Sequence, residues 1–215
     1  MFKKKKIEII DKWEDVTLEM FMKINEIGAS NDEEDIKNLK VAALLSNKTL
    51  EELEEMPISK AIELISHTRF LFTPAPRVKS KRNLNLNGKE YRVMSKTEEM
   101  TTAQFIEFQS VAKNINEMLV EFISIFIIPK GHKYGDGYDM EEVYDDVKTM
   151  SVVEALGLAD FFTNAYRKLL KHTLLFSEAR MKTMAILGNK KQRELAREAH
   201  RILKQARENL TSLIG

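Results

Sequence analysis

Catalysis and metal binding need reactive side chains that converge, and in this sequence such residues stand far apart. His67, His132, His172 and His200 are separated by dozens of residues, and none has a second histidine or carboxylate at the helical spacing of a zinc motif. His172 lies among apolar neighbours and reads as a core histidine. Asp136, Asp139, Glu141 and Glu142 carry oxygens suited to calcium, but their order does not match the EF-hand register, so a solvated acidic loop accounts for them. Gly131-x-x-x-Gly135-x-Gly137 has neither the dinucleotide-binding spacing nor the Gly-Lys-Ser/Thr ending of a phosphate loop, and reads as a flexible loop. Ser46, Ser59 and Ser151 fall at predicted caps and turns, outside any nucleophile elbow. With no cysteine, thiolate nucleophiles, zinc–thiolate sites and disulfides are excluded, and a reducing compartment is the natural reading. The sequence therefore assigns no catalytic, cofactor-binding or metal-ligating residue, and the chain is expected not to be an enzyme. Had it an unrecognised catalytic site, loop 130–139 is where its groups would gather.

Docking is the chemistry the residues do suggest. Lysine and arginine total 34 against 33 acidic residues, yet the charges are segregated along the chain. Residues 31–63 are acid-rich, whereas beyond Arg167 cations dominate. Near the C-terminus Lys190, Arg193, Arg197, Arg201, Lys204 and Arg207 recur every three or four residues and form a candidate basic face. Beside it Leu195, Ala199, Ile202, Ala206, Leu210 and Leu213 form a narrow seam of coiled-coil type, a candidate partner-docking surface. One use of this helix is phosphate contact with nucleic acid. The other is a protein-binding seam with solvated cations along its edge. Near-neutral net charge and few interleaved aromatics favour the second.

Helices must position these surfaces. An apolar share of 43% with 31% charged residues suits amphipathic helices with solvated outer faces, and the scarcity of glycine and proline disfavours sandwiches and barrels. A chain of 215 residues can bury roughly 70% of its unfolded surface and needs no metal or disulfide support. A helix is expected from Thr17, with Leu18, Phe21, Met22 and Ile24 on its apolar stripe, and a second capped by Asn31 or Asp32. Thr49–Glu52, Thr101–Gln104 and Ser151–Glu154 read as capping boxes. Pro57 opens a helix that carries Ile58, Ala61, Ile62, Ile65 and Phe72, ended by Thr73-Pro74-Ala75-Pro76. A basic linker (Arg77, Lys79, Lys81, Arg82) leads to Leu84-x-Leu86-Asn87-Gly88-x-x-Tyr91-x-Val93, the pattern of a β-hairpin on a type I′ turn. Helix is expected from Ala103 to about Ile128, with an interruption at Asn114–Asn116.

The fold class is therefore mainly α: a helical bundle with a small β-hairpin, and two long C-terminal helices. The hairpin becomes a three-stranded sheet if the N-terminal segment Lys5–Ile10 pairs with it. Two regions are expected, a helical body over 1–157 with the hairpin near 83–93, and a long, basic, coiled-coil-like helical hairpin over 158–215. The basic start Met1–Lys6 is followed by too short and too charged a segment for a signal peptide. The longest apolar run, Phe122–Ile128, is too short to span a bilayer, so no membrane partner is expected and a cytosolic location is.

Several phrases together resemble virion-associated and assembly proteins of tailed bacteriophages, particularly crAss-like and related phages of Bacteroidetes. They are Trp13-x-x-Val16-Thr17-Leu18, Leu45-Ser46-x-x-Thr49-x-Glu51-Glu52-Leu53, Asn87-Gly88-Lys89-x-Tyr91-x-Val93, Thr101-x-x-Gln104-Phe105, Pro129-x-Gly131-x-x-Tyr134 and Phe161-Phe162. The resemblance spans residues 13 to about 165. It implies a non-enzymatic structural or assembly protein, either portal- or capsid-associated cargo or a tail assembly chaperone, in the virion or the host cytoplasm. The implied partners are portal, capsid or tail proteins. The seam would also serve self-association into a homo-oligomer, and the basic helix would serve nucleic acid.

Overall fold

A computed structural model of the chain describes residues 9–94, 96, 99–114, 117–165, 167, 186, 190–191, 194–199, 201 and 204. The fold is mainly helical with a small three-stranded antiparallel sheet, as the periodicities predict. The chain divides into two compact units, Met1–Phe161 and Phe162–Gly215.

The first unit opens with a 3-10 turn at Trp13–Asp15, then α1 (Leu18–Ala29), α2 (Glu34–Leu45), α3 (Leu50–Glu54) and α4 (Ile58–His67), which a 3-10 turn extends over Thr68–Phe72. The sheet hairpin follows as β1 (Asn83–Leu86) and β2 (Lys89–Val93). Then come α5 (Thr102–Val111), α6 (Leu119–Ser124), β3 (Ile127–Pro129), α7 (Met140–Lys148) and α8, helical over 152–161 in this unit. Val16, Leu45, Val152 and Val153 form one buried cluster, with Trp13, Phe21 and Phe70 packed against it. Trp13 meets Phe70 edge-on at 5.4 Å between ring centroids. Two backbone bonds tie the start of this unit to the start of α8: Leu18 N–H donates to the Met150 carbonyl and Val152 N–H to that of Val16, both at 2.8 Å. A second cluster, Ala42, Ala43, Leu53 and Leu64, joins α2, α3 and α4. Phe108, Phe122 and Phe126 make an aromatic trio with centroids 5.4–5.5 Å apart.

Local signals set most element ends. Thr49 and Thr101 each accept a backbone N–H three residues on, and Glu52 and Gln104 reach back to the cap amides, so both capping boxes are complete. Asn87 and Gly88 take φ of +50° and +79°, the left-handed pair that a two-residue I′ turn requires, which sets the register Leu84↔Tyr91 and Leu86↔Lys89.

Four expectations are corrected. The third strand is β3, whose Ile127 and Ile128 pair with Val93 and Arg92, rather than the N-terminal segment. Residues 5–8 of that segment lie outside the described residues, and Ile9 and Ile10 are not in a strand. The helix expected to run from Ala103 to Ile128 is instead α5, α6 and β3. Pro129 biases Ile128 toward extended angles, and the β-branched pair before it packs fully buried in the sheet. Glu33, without a side-chain cap bond, precedes α2, because the Asp32 carboxylate is taken by Lys40 at 2.5 Å and Ser30 at 2.8 Å. Finally, of the expected α4 stripe only Ala61 is buried and Ile65 partly so, whereas Ile58, Ile62 and Phe72 are exposed, and Leu64, outside that stripe, is buried instead.

Candidate functional site

That last departure leaves large apolar side chains exposed on α4 and just after it. Ile58 and Ile62 stand one helical turn apart on α4, at 78% and 60% exposure, and Phe72 at the end of the following 3-10 turn is 81% exposed. α4 buries Ala61 and Leu64 against α2 and α3, so its apolar stripe is wider than the groove it fills. Acidic residues flank the face along the chain: Glu54 and Glu55 close α3, and Glu63 adjoins Ile62, all exposed.

A buried carboxylate in the first unit holds the hairpin in place. Asp146 on α7 is 3% exposed and accepts three side-chain bonds: from Asn87 at 2.7 Å, Lys89 at 3.0 Å and the Tyr91 hydroxyl at 2.5 Å. Burial alone would raise its pKa, but the three donors outweigh it and hold the carboxyl below its ordinary value. Burial and the Asp146 contact push the Tyr91 hydroxyl well up. Lys89 also pairs with Glu142 at 2.6 Å. The carboxylate is thus saturated with donors and turned away from solvent, a clamp that holds the hairpin to α7. Sequence reasoning missed it because Asp146 lies 55 residues from Tyr91 and nothing local marks it.

The loop between β3 and α7 is ordered by its own tyrosines. Tyr134 donates to the Glu107 carboxylate on α5, and burial followed by that bond raises its pKa. Tyr138 packs edge-on to His132 at 5.9 Å. Gly131, Gly135 and Gly137 all adopt positive φ. Asp139 caps α7 through the Glu141 amide, and Glu142 is engaged by Lys89, so both are committed locally. Among the described residues no three His, Cys, Asp or Glu side chains are grouped to hold a metal ion.

The predicted C-terminal surfaces fall in the second unit. Lys190, Arg197, Arg201 and Lys204 are helical and exposed, at spacings that share one helical face. Arg193 and Arg207 lie outside the described residues. Of the seam, Leu195 is 57% exposed and Ala199 partly buried, while Ala196 is 1% exposed. Ile202, Ala206, Leu210 and Leu213 lie outside the described residues, as do His172 and His200.

No helix among the described residues is long and apolar enough to cross a membrane. No family model, curated protein or solved structure matches the chain.

Proposed function

We propose that this chain is a non-enzymatic docking component of a larger assembly, of the virion-associated or assembly type found in tailed phages. The observation that carries the proposal is the exposed pair Ile58 and Ile62, large apolar side chains one turn apart and left uncovered on α4, with Phe72 exposed in the 3-10 turn that follows. Exposed apolar groups of this size at neighbouring positions mark interaction surfaces. The resemblance of residues 13 to about 165 to phage assembly proteins supplies the partners: portal or capsid proteins for a cargo protein, tail proteins for an assembly chaperone. Co-purification of the full chain with portal, capsid and tail proteins, alongside light scattering on the isolated chain, tests it. Capture of one of these partners, lost in Ile58→Glu/Ile62→Glu, is the expected result. A monomer that associates with none of them overturns it.

A second reading rests on a different observation, the exposed cations Lys190, Arg197, Arg201 and Lys204 at one-face spacing. This face would contact the phosphates of nucleic acid. With about six phosphates contacted, affinity would fall roughly a thousandfold between 50 and 200 mM salt. Absence of retention on DNA or RNA at low salt removes this reading.

A further inference from the structure

The basic linker between the proline pair and the hairpin forms one wall of a cavity of about 410 Å³ in the first unit. Segment 77–82 has no regular secondary structure, yet three tethers hold it. Val93 N–H donates to the Arg82 carbonyl at 2.8 Å. Lys81 forms an ion pair with Glu154 of α8. Between them, Val78 crosses α8 so closely that a Cβ on Gly157 would sit 2.7 Å from its carbonyl oxygen. Only a residue without a side chain allows that approach. The wall is therefore preformed, which lowers the ordering cost of binding.

The lining has two chemical halves. Val93 and Met94, both buried in the first unit, form an apolar side with Phe161, which is 39% exposed. Lys79, Ser80, Lys81 and Arg82 form the other. Lys81 is neutralised by Glu154, whereas Lys79 and Arg82 have no ion pair among the described residues. Two cations with no ion pair among the described residues, three positions apart, line a cavity whose volume is in the range of small-molecule sites. An anion in the cavity would gain charge-assisted hydrogen bonds from these cations. The apolar side then favours a ligand with more than charge to offer.

We propose that this cavity binds a small phosphate ester with a planar or apolar body, its phosphate on Lys79 and Arg82 and its body toward Phe161 and Met94. The site is separate from the α4 face and does not depend on the docking reading. Isothermal titration of the full chain with AMP, inorganic phosphate and adenosine tests it. Saturable 1:1 binding of AMP is expected, at least about tenfold tighter than phosphate, with adenosine weaker still. Lys79→Ala/Arg82→Ala should weaken AMP about tenfold or more, since both side chains are exposed and their loss leaves the core intact. Gly157→Ala should weaken it without removing a charge, by displacing Val78. Arg69→Ala, an exposed cation outside the cavity, should change nothing. The proposal is overturned if AMP fails to bind at roughly 5 mM, if the Lys79/Arg82 variant binds as before, or if Arg69→Ala is equally impaired. Tight binding of an oligonucleotide without binding of AMP also overturns it, since that would make the linker a strand-binding surface.

Discussion

Asp146 concentrates more of the hairpin's attachment than any other residue described. Replacing it with alanine leaves the buried Tyr91 hydroxyl without its acceptor and Lys89 with Glu142 alone, and should cost about 2–4 kcal/mol in urea unfolding. Tyr91→Phe removes one donor of three, and about 1–2 kcal/mol is expected. The same clamp makes stability pH-dependent at both ends. The Asp146 pKa is lowered on folding, so its contribution is present above the ordinary value of 3.8 and is lost as pH falls through the folded value. The Tyr91 pKa is raised on folding, so its contribution is intact below 10.0 and fades as pH climbs from there toward the folded value. Unfolding midpoints measured from pH 2 to 12 should show a plateau with losses beyond these two limits. Asp146→Asn should flatten the acid limb. An unchanged acid limb in that variant would show that the clamp is not the group being titrated.

At the scale of elements, Thr49 and Thr101 perform the same capping task, and alanine at either should cost about 1 kcal/mol. Gln104 differs, because its side chain has two duties. Its Oε1 accepts from the Thr101 amide while Nε2 donates to the Ile125 carbonyl at 3.1 Å, joining the start of α5 to the end of α6. Gln104→Ala should therefore cost roughly 2–3 kcal/mol, well above the cap alone, when thermal and urea unfolding are compared across the three variants. An equal cost for all three would mean that the Ile125 tether contributes nothing. The capping half of this residue is legible as Thr-x-x-Gln. The tether is not, since the carbonyl it reaches is 21 residues away, beyond the expected interruption at Asn114–Asn116.

For the molecule as a whole, the exposed α4 face makes a prediction that separates docking from folding. Ile58→Glu/Ile62→Glu should shift the unfolding free energy by no more than about 0.5 kcal/mol, because both side chains already stand in solvent. Partner capture should nevertheless be lost. A large destabilisation would show instead that these side chains pack within the chain and that the face is not free to dock. On the basic surface of the second unit, removing one of Lys190, Arg197, Arg201 or Lys204 should lower the salt slope of any nucleic-acid binding by about 0.9 per cation.

Sequence alone determined the features whose causes are local. Capping boxes close within four residues, the Asn87-Gly88 turn depends on two backbone angles, and the helical periodicity of α1, α2 and α4 needs only nearest turns. The same locality made the mainly helical class legible. Tertiary structure alone decided where these elements meet. It turned Ile127 and Ile128 from the expected helix into a strand, because β2 offered an open edge for them to pair with. It chose Asp146 among many acidic residues, left Ile58 and Ile62 in solvent although they match the core pattern, and required glycine at 157 where Val78 passes. Each of these outcomes depends on groups brought together from distant parts of the chain, and periodicity records which residues prefer burial without recording what is there to bury them.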